Sequence, residues 1–206
     1  MNYELCRVKV GNHNTKLGNQ IPNINLPAGW TCRCDAPCRK LCYAMKGNFR
    51  YKNVRSRAEE NLMAWKQNPE QFEKDIVEQT SINKFVRWHS SGDISDMAYL
   101  EMMVRVALEV PGTRYLCFTK KYELVNGFLA AGNSIPDNLT IVLSAWGDWK
   151  PDNPYNLPMA YVKLKKQESD IPEDARECPS FCGKCAATGN SCWNLKCGEC
   201  VCFKQH

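Results

Sequence analysis

Between residues 53 and 164 the apolar positions switch between a helical period and short strand-like runs. Leu62 and Trp65 share one face of a segment whose Glu59, Glu60 and Lys66 fall elsewhere, which predicts a helix over 53–67. Pro69 opens a second helix with Phe72, Ile76 and Val77 as its apolar stripe. A strand follows over 84–89, where Phe85, Val86 and Trp88 precede a Ser-Ser-Gly turn. Leu100, Met103, Val104, Ala107 and Leu108 then recur at helical spacing. They predict a helix that Ser95 caps and Pro111-Gly112 stops after about Val110. A strand over 113–119 leads to a helix over 122–131, ended by Gly132-Asn133. A strongly apolar strand over 139–145 precedes a loop rich in Trp, Asp and Pro over 146–158. The last strand is expected over 159–164.

Strands alternating with helices imply parallel strands joined by right-handed crossovers. The central segment supplies about four, too few for a closed eight-stranded barrel. The expected fold is α/β: one domain over 1–206, built as a partial (β/α) barrel or an open parallel sheet. Cysteine-rich metal-binding loops sit at both ends, over 32–42 and 178–206. Residues 11–31 read as an irregular lead-in with room for one edge strand, and 165–177 as a polar linker. Parallel strands present their C-terminal ends on one side. Residues 90–93, 119–121 and 144–148 should therefore meet at one mouth.

Composition narrows the function classes. The net charge is +5 and charged residues make up 24% of the chain, with no stripe of Lys and Arg, so nucleic-acid binding is permitted but not indicated. Glu4, Arg7 and Lys9 interrupt the first ten residues, so no secretory h-region stands there. No stretch approaches the roughly 20 apolar residues of a membrane helix. The expectation is a cytoplasmic protein without a membrane partner. In that reducing compartment 13 cysteines point to metal before disulfides, and the odd total leaves at least one unpaired.

Eleven of the cysteines fall in two groups. The first is Cys32-x-Cys34-x3-Cys38-x3-Cys42, stiffened by Pro37. Its recurrent spacing expects Cys34, Cys38 and Cys42 in one site, with Cys32 as the fourth ligand. Soft thiolates suit zinc and iron–sulfur clusters alike, and a short loop gathers them at little entropic cost. The second group holds Cys178, Cys182, Cys185, Cys192, Cys197, Cys200 and Cys202, more than one four-ligand site needs. Two CxxC pairs, Cys182 with Cys185 and Cys197 with Cys200, keep a zinc ribbon open. The three-residue gaps of the first group and the Cys178-Pro179 beside CxxxCxxC favour iron–sulfur clusters of the 4Fe-4S type, two or more. Cys117, inside an apolar strand, reads as a core thiol, and isolated Cys6 as structural.

The strings Leu26-Pro-Ala-Gly-Trp-Thr-Cys32, Cys42-Tyr-Ala-Met-Lys-Gly-Asn-Phe49, Trp88-His-Ser-Ser-Gly-Asp93 and Cys178-Pro179, with the closing Phe203-x2-His206, resemble a phage family called gene product eighty-eight. That resemblance implies a phage origin, hence a host-cell cytoplasm, and cysteine clusters more than a particular reaction. A more distant likeness is to radical SAM enzymes, which join an early three-cysteine cluster loop to a partial barrel. It implies S-adenosylmethionine as a cofactor on an open iron, with the early cysteine loop above the mouth of strand ends and the late cysteines closing that mouth from the other side. This chain departs from that pattern, since its early loop reads CxxxCxxxC from Cys34. Cys32 offers a fourth thiol that would close the open position, and the literal CxxxCxxC stands at Cys178 to Cys185.

His89, Gly92, Asp93, Lys120 and Asp148 lie at or beyond predicted strand ends and are the candidates for binding a cofactor. Each has an ordinary alternative: a hydrogen-bonded strand residue, a turn, a helix cap, a solvated lysine, a loop anchor. Three functions compete. One is an iron–sulfur protein, redox or radical SAM-like, serving an unknown redox partner or host factor. Another is a zinc-stabilised module that contacts nucleic acid or protein through Trp146, Trp149, Lys150 and Tyr155. The third is an inert scaffold in which the metal replaces core.

Overall fold

The computed structural model describes residues 6–12, 14–165 and 170–205. Seven parallel strands form one sheet: β1 (Asn23–Ile24), β2 (Phe85–Trp88), β3 (Arg114–Thr119), β4 (Leu139–Ser144), β5 (Met159–Lys163), β6 (Arg176–Glu177) and β7 (Cys200–Lys204). Their spatial order is β1-β2-β3-β4-β5-β7-β6. β1 and β6 remain edges, so the sheet is open and the partial-barrel alternative is set aside. Strands 2 to 5 stand where the apolar runs place them. The sheet continues past the expected last strand, because the late cysteine segment supplies β7 and the presumed linker supplies β6.

Helices α1 (Lys52–Gln67), α2 (Pro69–Thr80), α3 (Met97–Glu109) and α4 (Tyr122–Ala130) cover one face. Asn68 caps α2 by accepting the Gln71 amide at 3.0 Å, with Pro69 in its first turn. α3 is capped by Asp96, which accepts the Tyr99 amide at 2.9 Å; Ser95, the expected cap, donates its hydroxyl to Asp96 instead. Pleat alternation sends Val86, Trp88, Tyr115, Cys117, Ile141 and Leu143 into the helical core beside Trp65, Phe72, Ile76, Leu100 and Met103. The intervening positions Leu116, Val142, Ala160 and Val201 face the other way. There no long helix covers them. Leu17 and Ile21 of the lead-in and Ala186, Trp193 and Leu195 of the late cysteine segment form a second core. Trp193 is buried there, and its indole N–H donates to the Val86 carbonyl at 3.0 Å. No helix among the described residues is long and apolar enough to cross a membrane.

Candidate metal-binding cavity

On this second face lies a cavity of about 650 Å³. Its rim is built at the turn between β2 and α3. Gly92 has a φ of +77°, and a Cβ there would stand 2.5 Å from the Leu26 carbonyl oxygen. Only glycine lets the two backbones approach so closely. The turn then pins the segment that leads into the early cysteines. Leu26 donates its amide to the Ser91 carbonyl at 3.1 Å, and the Ser91 hydroxyl returns a bond to Leu26 at 2.8 Å. Asn25 accepts the amides of Ser90 and Ser91, and Asp93 donates its amide to the Thr31 hydroxyl at 3.0 Å. Beyond the loop, the Tyr43 hydroxyl donates to the Ser90 carbonyl at 2.8 Å. The cysteine loop is therefore fastened at both ends to one strand terminus. The Arg33 side chain adds a third anchor, 5.4 Å over the Trp149 ring and paired with Asp35 and Glu123.

Cys32, Cys38 and Cys42 line the cavity; Cys34 is exposed and stands outside the lining. The expected trio Cys34, Cys38, Cys42 is thus not the trio that faces inward. Burial pushes the Cys32 thiol up to about 11, and the neighbouring Asp93, Cys42 and Cys38 add to that rise. Burial also raises Cys38, against the opposing charge of Lys120. Thiols and one carboxylate are crowded here, and a bound metal would displace the thiol protons and stabilise the thiolates so formed.

Cys178, Cys182, Cys185 and Cys192 of the late segment line the same cavity. Cys178 follows β6 and donates its amide to the Cys202 carbonyl at 2.9 Å. Cys182 and Cys185 bound the single-turn helix α5 (Cys182–Cys185), and the Cys182 amide donates to the Lys16 carbonyl at 2.8 Å. Burial pushes Cys192 up to about 12, with Arg87 opposing, and raises Cys182, with Arg87 and Lys16 opposing. The remaining late cysteines are elsewhere. Cys197 is exposed, and Cys200 and Cys202 are buried on β7, on the side of the strand opposite Val201. The two CxxC pairs of a zinc ribbon are thereby divided. Cys117 is buried in the helical core, and Cys6 packs against it.

The strand-end candidates separate in the same way. Asp93 is buried beneath the early thiols. Its carboxylate accepts the Thr119 hydroxyl at 2.6 Å and the amides of Lys120 and Ile94 at 2.9 and 2.8 Å, while burial raises its pKa. Lys120 is half-buried and lines the cavity. His89 borders it but turns its ring to the helical core, Nε2 at 3.3 Å from the Tyr99 hydroxyl and Nδ1 at 3.7 Å from the Cys117 sulfur. Burial holds this imidazole down at about 3, with Arg87 adding to the shift. Asp148 is exposed and does not line the cavity, whereas Trp146 does. Trp149 packs on Tyr122 at 5.2 Å, and Lys150 pairs with Asp170. Asn25, which builds the rim, carried no motif to announce it; Thr31 and Tyr43 stand in the strings that carry the family resemblance, but nothing in them assigned either residue a role.

Among the described residues, no three His, Cys, Asp or Glu side chains converge closely enough to hold a single metal ion. The donor chemistry of the cavity is nonetheless that of a thiolate-bound group: seven soft donors in sets of three and four, with the one buried carboxylate already committed to hydrogen bonds. A family model described as Gene product 88 matches residues 5–204. The chain belongs to this phage-type family. The Gene product 88 match takes in all seven strands, both cysteine groups and every residue of the cavity lining except Gln205. No curated protein and no solved structure matches the chain.

Proposed function

We propose that this Gene product 88 protein is an iron–sulfur redox protein, with one 4Fe-4S cluster on Cys178, Cys182, Cys185 and Cys192 and a second on Cys32, Cys38 and Cys42. The observation that carries the reading is that seven thiols line one cavity, three from the early loop and four from the late segment. Four thiolates complete the ligation of a four-iron cluster, whereas three leave one iron without a protein thiolate. When bound, such clusters supply one-electron transfer at the cavity wall. The chain's own residues set the surroundings. The Gly92 turn, Asn25 and Tyr43 fix the early loop, Trp193 seals the floor, and Asp93 ties the ends of β2 and β3 together beneath the thiols.

The position of Cys34 also supports the finer, radical SAM-like form of this reading. With Cys34 outside the lining, the early group is a trio, and S-adenosylmethionine is the candidate ligand for the open iron. Zinc remains the competing metal for the four-thiol group, although the division of the CxxC pairs opposes a ribbon. The test is EPR of anaerobically prepared, reduced protein. Two cluster signals are expected, one lost in Cys38→Ser and the other in Cys182→Ser. S-adenosylmethionine should alter only the signal that Cys38→Ser removes. A spectrum indifferent to the compound would overturn the SAM assignment alone; protein without iron would overturn the whole reading.

A further inference from the structure

Arg87 leaves β2 on the cavity side, between Val86 and Trp88, which are buried in the helical core. Its guanidinium carbon sits 4.2 Å from the centre of the Phe118 ring, and its Nε–H donates to the Trp88 carbonyl at 3.0 Å. Lys16 places its ammonium 4.6 Å from the centre of the Phe203 ring. Phe118 and Phe203 meet edge to face at 5.5 Å, so two cations rest on one aromatic pair. Both are half-buried, and among the described residues neither has a carboxylate within ion-pair distance. Two carboxylates line the cavity. Asp93 is committed to Thr119, Lys120 and Ile94, and Glu177 is paired with Lys163. Among the described residues the cavity thus holds two cations on one aromatic pair with no carboxylate paired to either.

We infer that the cavity binds a small organic anion, a carboxylate or a phosphate, whose charged end sits on Arg87 with Lys16 as the second contact. A guanidinium held by stacking and by its Nε bond keeps its outer N–H groups in a fixed fork, the geometry that binds such anions through paired hydrogen bonds. The aromatic pair beneath, with Leu116, offers an apolar wall for the rest of the molecule. The inference rests on the cavity being the working site and names the class of substrate it takes; it does not depend on which metal the thiols hold.

The experiment is calorimetric titration of the full chain, prepared anaerobically, with inorganic phosphate and separately with acetate at constant low ionic strength. Iron and sulfide are measured on every sample. Saturable one-to-one binding of at least one probe is expected, and the stronger probe identifies the anion. Arg87→Gln should weaken it by at least about tenfold, with Arg87→Lys recovering part of the loss. If Arg87→Gln does not fold, Lys16→Gln serves in its place and should weaken the same probe about threefold. Absence of saturable binding, or binding indifferent to these substitutions, overturns the inference. So does a shift in cluster potential with unchanged anion binding, which would make Arg87 a counter-charge for the thiolates. Anion binding by protein that lacks iron would overturn the proposed function and leave this inference standing; iron-loaded protein that binds neither probe would do the reverse.

Discussion

A Cβ at position 92 would meet the Leu26 carbonyl oxygen at 2.5 Å and its carbon at 2.7 Å, and the backbone φ there is +77°. Gly92→Ala should therefore destabilise the protein by about 1–3 kcal/mol in urea unfolding. Iron content should fall with it, because the displaced Leu26 segment carries the early cysteines; native-like stability would contradict that fastening. Three residues before Gly92, His89 also has a left-handed backbone. Its φ of +58° is one that asparagine tolerates well, and its imidazole is held neutral down to about 3. The unfolded chain takes up a proton near 6.5 and the folded chain does not. The folded state therefore loses stability as pH falls below that value, by up to about 1.4 kcal/mol per pH unit for this one group. His89→Asn should flatten that slope between pH 6.5 and 4.5 in pH-dependent unfolding, and an unchanged slope would remove His89 from the account.

Among the elements, the cysteine loop and β7 decide which thiols matter. Cys38 lines the cavity and Cys34 does not, so Cys38→Ser should lose about the iron of one cluster while Cys34→Ser keeps nearly all of it, measured by metal analysis at equal protein. Equal losses would return Cys34 to the site. The sequence spacing could not make this distinction. Cys34 and Cys38 recur at the same interval as Cys38 and Cys42, and what separates them is the direction of each side chain from a loop pinned by Asn25, Thr31 and Tyr43. Strands 2 to 5 and helices α1 to α4 were legible because their apolar periods are long and uninterrupted. β7 was not, since Cys200-Val201-Cys202-Phe203 alternates as a strand should, yet its cysteines read as ligands. The α3 cap moved by one residue because Ser95 and Asp96 can both accept an amide, and the Tyr99 amide goes to Asp96.

In the whole molecule the sheet has two unlike faces. Four helices cover one, and on the other Leu17 and Ile21 of the lead-in pack with Ala186, Trp193 and Leu195 of the late cysteine segment. Parallel-strand order placed the strand ends around one mouth. The volume of that mouth and the cations within it depend on side chains far apart in the chain, so no local pattern carried them. The late segment forms its small core around Trp193 and Ala186, and its thiols are drawn partly out of water beside that core. A metal on Cys178, Cys182, Cys185 and Cys192 would tie together the segment between β6 and β7, so its removal should loosen the second face before the helical one. The most direct measurement of the central claim is the joint determination of iron, acid-labile sulfide and zinc in protein purified without oxygen. The account predicts brown protein with iron and sulfide in nearly equal amounts and little zinc; colourless protein with stoichiometric zinc and no sulfide would contradict it.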